Sequence, residues 1–154
     1  MSGNSYVGGV CGYNKGGIVI GCHNSGRVTS NSSSTDGVCG KNEGTLENSS
    51  NNGEVSGSSD FGDVCGKNNR TVSNCYYLSA TSGTDSNDPN AKTKEQFASG
   101  EVAYLLQKAL DDAATAAQVW GQRIGTDTPP CAWQRCQLQG LPHEVRFPLQ
   151  GLFQ

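Results

Sequence analysis

Apolar side chains over roughly the first eighty residues come in short groups of one to four, set off mostly by Gly, Asn or Ser, and the groups recur. Three blocks share the core Val-Cys-Gly-x-Asn, starting at Val10, Val38 and Val64, a spacing of 28 and then 26 residues. After each core a Gly or polar turn leads into a second β-branched stretch: Ile18 to Ile20, Thr45-Leu46, and Thr71-Val72. A third stretch follows in the first two blocks, around Arg27-Val28 and Glu54-Val55. Each block is predicted to hold two or three very short strands, none long enough to form a sheet alone. Stacking block on block solves this, because equivalent strands then lie about 4.8 Å apart and bury like against like.

The pattern therefore predicts a mainly β chain: a short β-solenoid, parallel β-helix-like, of about three rungs over residues 1–82. Its columns are Val10, Val38 and Val64; Cys11, Cys39 and Cys65; Gly12, Gly40 and Gly66; Asn14, Asn42 and Asn68; and Val19, Leu46 and Val72. Cys22 and Cys75 align with Ser49, a slot for small residues. Residues 83–92 read as a linker with a turn ending at Pro89; the run from Asp85 to Asn90 lacks the Gly and Glu that a calcium loop needs at its sixth and twelfth positions.

From Lys92 the period changes. Thr93 with Gln96 makes a capping-box pattern, and Phe97, Val102, Leu105, Leu106, Ala109 and Leu110 line one broad helical face. A helix is predicted from about Lys94 to Leu110, resuming through Ala113 to Ala117, with Gly100 weakening it by roughly 1 kcal/mol without ending it. Residues 93–130 are thus a helical capping segment, anchored by Phe97, Leu105 and Trp120, that covers the apolar end and open strand edges of the stack. Residues 131–154 share no register with the repeats and are expected to be an irregular tail, frameshifted or disordered.

Composition narrows the function. A net charge of -3 with two His gives no basic stripe for phosphates, which argues against nucleic acid, and no window is apolar enough to span a membrane. The 21 Gly would read as disorder without a period; here they mark turns, and Gly8-Gly9 and Gly16-Gly17 lack a phosphate-loop pattern. Seven Cys is an odd number, so complete disulfide pairing within the chain is excluded. The stacked cysteines read as small buried apolar groups, and Cys131, Cys136 and His143 have no familiar zinc spacing, so no metal or cofactor is expected. The acids Asp36, Glu43, Glu47, Glu54, Asp60 and Asp63 scatter over different repeat positions, and no catalytic residue is assigned.

The segments GGVCGYNKGGIVIGCHNSGRVTS and GVCGKNEGTLENSSNNGEVSGSS resemble GLUG-motif repeats, found in secreted and surface-anchored bacterial proteins, including adhesins and the non-catalytic regions of IgA-specific metallopeptidases. CGKNNRTVSNCYYLS is similar to the closing form of that repeat, and KTKEQFASGEVAYLLQ with WGQRIGTDTPP resembles the unit that often follows such arrays. The resemblance covers Val7 to about Pro130. It implies a non-catalytic structural or adhesive module of a cell-surface or extracellular protein. The alternatives are a module binding host glycan or protein, to which Tyr6, Tyr13, Tyr76 and Tyr77 could lend aromatic faces, and an accessory region of a large secreted peptidase. The chain opens in mid-repeat, so upstream repeats of the same polypeptide, with any secretion signal, are expected partners.

Overall fold

The computed structural model describes residues 2–3, 5–31, 34–58, 61–62, 64–79, 88–112, 119–121 and 131–133. The chain is mainly β, built of parallel sheets, with short helices near its C-terminus. After β1 (Ser2–Gly3), the first block supplies β2 (Val7–Gly8), β3 (Cys11–Asn14), β4 (Ile18–Ile20), β5 (His23–Asn24) and β6 (Val28–Ser30). The second supplies β7 (Thr35–Asp36), β8 (Cys39–Asn42), β9 (Thr45–Glu47), β10 (Ser50–Asn51) and β11 (Val55–Ser56). The third supplies β12 (Phe61–Gly62), β13 (Cys65–Asn68), β14 (Thr71–Ser73) and β15 (Tyr76–Leu78). A complete block thus holds five strands, where apolar patterning predicts two or three; the extra ones are two-residue elements such as Ser50–Asn51, too polar and short to leave a period.

Every one of these strands pairs in parallel with the strand five places along the chain, giving the strand orders β1-β6-β11, β12-β7-β2, β13-β8-β3, β14-β9-β4 and β15-β10-β5. The registers follow the repeat alignment: Cys11 opposes Cys39 and Cys39 opposes Cys65, Val19 opposes Leu46 and Leu46 opposes Val72, and Asn14, Asn42 and Asn68 form one row. Gly16, at φ +84, sits with open space around it and takes up the one extra residue between the first two blocks. At the corner after β4, β9 and β14 the chain passes through the left-handed region at Gly21 (φ 65), Asn48 (φ 47) and Asn74 (φ 49), and Gly and Asn are the residues that tolerate it.

Inward-facing side chains form one core of Val38, Cys39, Leu46, Val64, Cys75 and Tyr77, with Cys11, Val19, Cys22, Cys65 and Ala91 packed against it. Val38 and Leu46 are fully buried, whereas Val10 is 45% and Val72 37% exposed, at opposite ends of the stack. Their columns run out there: β3 and β14 are each the last strand of their sheets, so among the described residues no further strand lies beyond these two valines.

Asparagine ladders fasten the blocks at their turns. Asn14 Nδ2 donates to Asn42 Oδ1 at 2.8 Å, and Asn42 Nδ2 donates to Asn68 Oδ1 at 3.0 Å. A second ladder joins Asn24 Nδ2 to Asn51 Oδ1 at 2.8 Å. Each amide also closes its own turn; Asn51 Oδ1 accepts the Gly53 N–H and its Nδ2 donates to the Gly53 carbonyl. A buried polar side chain is tolerable because its amide nitrogen and oxygen are both hydrogen-bonded in this way.

Ala91–Lys92, expected to end the linker, form β16, which pairs in parallel with β15 and extends its sheet. Thr93 then caps α1 (Lys94–Ala98), its hydroxyl accepting the Gln96 N–H while the Gln96 side chain accepts the Thr93 N–H. The single helix predicted to Leu110 is instead two, because Gly100 adopts φ +85 and breaks the run before α2 (Glu101–Asp112). Phe97, Val102, Leu106, Leu110 and Trp120 make a second core against the outward-facing Tyr76 and Leu78 of β15. The anchor expected at Leu105 lies one residue on: Leu106 is fully buried and Leu105 only half-buried, since a break at Gly100 resets the phase of the apolar face. The helices cover the flank of β15 rather than the whole end of the stack, leaving Lys67 to Val72 exposed. β17 (Val119–Gly121), within the segment expected to be helical, pairs antiparallel with β18 (Cys131–Trp133), so the expected irregular tail begins with a strand. Ala113 to Ala117, Asp60, Asp63, Cys136, His143 and the tail from 134 onward lie outside the described residues.

Candidate binding surface

An exposed cluster of functional groups lies where the first two blocks meet. Tyr13 and Lys41 occupy paired positions of β3 and β8, so parallel stacking sets them side by side on the outer face. Tyr6, in the left-handed region at φ 43, turns back over the same face, and its ring lies 5.8 Å from that of Tyr13 at an interplanar angle of 39°. Glycine at two column positions permits this approach: a Cβ at Gly12 would stand 2.6 Å from the Tyr6 carbonyl oxygen, and one at Gly40 would stand 2.6 Å from the Tyr6 carbonyl carbon.

Lys41 Nζ sits 4.6 Å from the Tyr13 ring centroid and 5.3 Å from that of Tyr6, within cation–π range of both, and 2.8 Å from Glu43 Oε1. The Tyr13 hydroxyl donates to Glu43 Oε2. Electrostatics follow the contacts. The Lys41 ammonium, then the Tyr13 hydroxyl, lower the Glu43 carboxyl to about 2. The bond to Glu43 raises Tyr13 above the usual phenol range, and the same carboxylate raises Lys41. The result is two aromatic faces and an ammonium, 38% exposed at Tyr6 and 37% at Tyr13, fixed by groups on separate turns.

Other expected positions are structural. Asn14 and Asn42 are buried in the first ladder, while Asn68, at its far end, is exposed. Cys39 is fully buried between half-buried Cys11 and Cys65, and Gly66 lies against the Asp36 carboxylate, where a Cβ would come within 2.0 Å of Oδ2. Tyr77 is buried in the main core, its hydroxyl donating to Asp88 Oδ2 at 3.0 Å, and Tyr76 lies under Lys92 with 5.6 Å from Nζ to ring centroid. Phe97 and Trp120 are both 4% exposed, inside the second core.

Compared with protein-family models, curated proteins and solved structures, the chain finds no match.

Two features escaped sequence reasoning. Lys41 and Glu43 carry no motif, and their union with Tyr6 and Tyr13 depends on strand register. The Asn24–Asn51 ladder did have a signal, because both residues stand two places before a glycine, as Asn42 does before Gly44. Among the described residues no group of three or more His, Cys, Asp or Glu side chains is arranged to hold a metal ion.

Proposed function

We propose that the chain is a non-catalytic structural repeat module, a short β-solenoid of about three rungs and of the GLUG type, belonging to a bacterial cell-surface or secreted protein. The carrying observation is that strands five apart pair in parallel with the register of the sequence repeat, sheet after sheet. A winding path is the economical way to connect such strands, because each returns to its own sheet only after visiting the others. Three of the described carboxylates support a passive role: Glu43 pairs with Lys41, Glu54 with Arg27 at 3.4 Å and Glu101 with Lys92 at 4.0 Å. Circular dichroism with small-angle X-ray scattering on the full chain tests the architecture. A strand-rich spectrum, one cooperative melt and an elongated scattering profile are expected; a coil spectrum without a transition refutes it.

A second reading, recognition of a glycan or a host protein, is favoured by one observation: the Tyr6, Tyr13 and Lys41 cluster. Aromatic faces held in place at the surface suit stacking against sugar rings. Array binding by the full chain, lost at least tenfold in Tyr13→Ala, supports recognition; no binding above background leaves the spacer role alone.

A further inference from the structure

Cys11, Cys39 and Cys65 share one register row in the sheet β13-β8-β3, so each is the direct strand neighbour of the next. All three are thiols; Cys39 belongs to the main core, and Cys11 and Cys65 pack against it. Adjacent parallel strands are about 4.8 Å apart, inside the 4.4–6.8 Å range of Cα separations that a disulfide spans. Cys39 is the middle member and can bond to one neighbour at a time.

We propose that Cys11 and Cys39 form a thiol–disulfide exchange site that takes small organic disulfides and staples the first block to the second. The two thiols differ in the way such a site requires. Cys39 is fully buried, so an incoming disulfide cannot reach it, whereas Cys11 is half-buried in β3, the outermost strand of its sheet. Hydrogen bonding from the Cys65 thiol, followed by the Asn14 backbone and Cys11, lowers the pKa of Cys39 below that of an ordinary thiol despite its burial. The lowered value supplies the thiolate needed for an internal attack. Cys65 has the opposite character: its bond to Cys39 comes first, then burial, and both hold its proton firmly, so it is the poorer entry point. Cys11 is raised chiefly by burial.

The reaction has two steps. The Cys11 thiolate attacks one sulfur of the disulfide RSSR, forming Cys11–S–S–R and expelling RS⁻. The Cys39 thiolate then attacks the Cys11 sulfur, expels the second RS⁻ and closes the Cys11–Cys39 bond. Two protein thiols are oxidised, one small disulfide is reduced, and the two protons lost by the protein leave with the two RSH formed. In-register side chains stand parallel and do not converge to the Cβ separation of about 3.8 Å that a relaxed disulfide prefers, so the bond is expected to be readily reduced again.

The full chain, incubated with excess oxidised glutathione, alkylated and digested with trypsin, tests this. The expected result is a cross-linked pair of peptides containing Cys11 and Cys39, loss of two thiols, and recovery of both with dithiothreitol. In Cys39→Ala the reaction should stop at a Cys11–glutathione adduct that the parent chain does not accumulate. Cys65→Ser, which keeps the pair, should link as the parent does. Linkage of Cys39 to Cys65 in the parent, glutathione adducts on Cys11 in equal yield with and without Cys39, or a folded chain whose Cys11 and Cys39 remain unlinked would each overturn the proposal.

Discussion

Replacing Asn42 with alanine tests whether the ladders hold the stack together. Asn42 is fully buried and takes part in five hydrogen bonds. Its Nδ2 donates to the Gly44 carbonyl at 3.1 Å, to Asn68 Oδ1 at 3.0 Å and to the Thr71 carbonyl at 3.1 Å. Its Oδ1 accepts from Asn14 Nδ2 at 2.8 Å and from the Gly44 N–H at 3.2 Å. Removal strands donors and acceptors in three blocks; at about 1 kcal/mol net per bond, with a further penalty where a buried partner finds no water, the loss should be about 4 kcal/mol. That is a large share of the roughly 5–15 kcal/mol by which a domain is stable. Asn68, exposed at the ladder's end, receives the bond from Asn42 and closes only its own turn at Arg70, so Asn68→Ala should lose about 1 kcal/mol. Urea unfolding followed by far-UV circular dichroism measures both. Asn42→Asp sharpens the test: it keeps the acceptor oxygen but sets a carboxyl against three acceptors, which favours its protonated form, so this variant should regain stability as pH falls. Equal losses for Asn42→Ala and Asn68→Ala, within about 0.5 kcal/mol, would refute the idea that the ladder acts between blocks.

Three further outcomes follow from the same geometry. His23, whose Nδ1 lies 2.8 Å from Ser50 Oγ, is lowered by burial from 6.5 to about 4; the unfolded chain takes up that proton first, so stability is complete above pH 6.5 and falls by about 3 kcal/mol towards pH 4. His23→Gln should flatten that slope in melts recorded across the window. Leu46→Ala, in the fully buried middle of its column, should lose about 2–5 kcal/mol and Val72→Ala less than about 1, as measured by denaturant midpoints. In Glu43→Gln the Tyr13 hydroxyl loses its anionic acceptor, so its ionisation, followed by ultraviolet absorbance, should move down towards the usual 10.

Register was the most legible property of this chain. Val-Cys-Gly-x-Asn recurs often enough to align Val19 with Leu46 and Val72, and the strands pair on that alignment because slipping by one residue would turn every inward side chain outward. The two-residue strands were not legible: Ser50–Asn51 and Thr35–Asp36 are extended because neighbours on both sides pair with them, a tertiary cause without local propensity. Gly100 was weighed as a loss of helix propensity, yet its effect is geometric, since a positive φ ends α1 and shifts the buried face from Leu105 to Leu106. At the candidate surface, Tyr6 and Tyr13 were legible as aromatic faces. Lys41 and Glu43 were not, because their roles exist only once two blocks are superimposed.

The ladders also have a direction. Asn14 gives its N–H to Asn42 and Asn42 to Asn68, and Asn24 gives to Asn51 in the same sense, so the side-chain dipoles point one way along the stack. Aligned amides polarise one another, which makes each added member bind somewhat better than the last. The two ends are therefore chemically unlike: amide oxygen faces outward beside Asn14, and amide nitrogen beside Asn68. Two copies meeting through their first blocks would bring oxygen to oxygen and repel. A block bearing asparagine in phase, laid on β3 and β5 in the parallel sense, would bring nitrogen to oxygen. The stack has a grammar of succession, in which a block can be followed or preceded by its like but not mirrored.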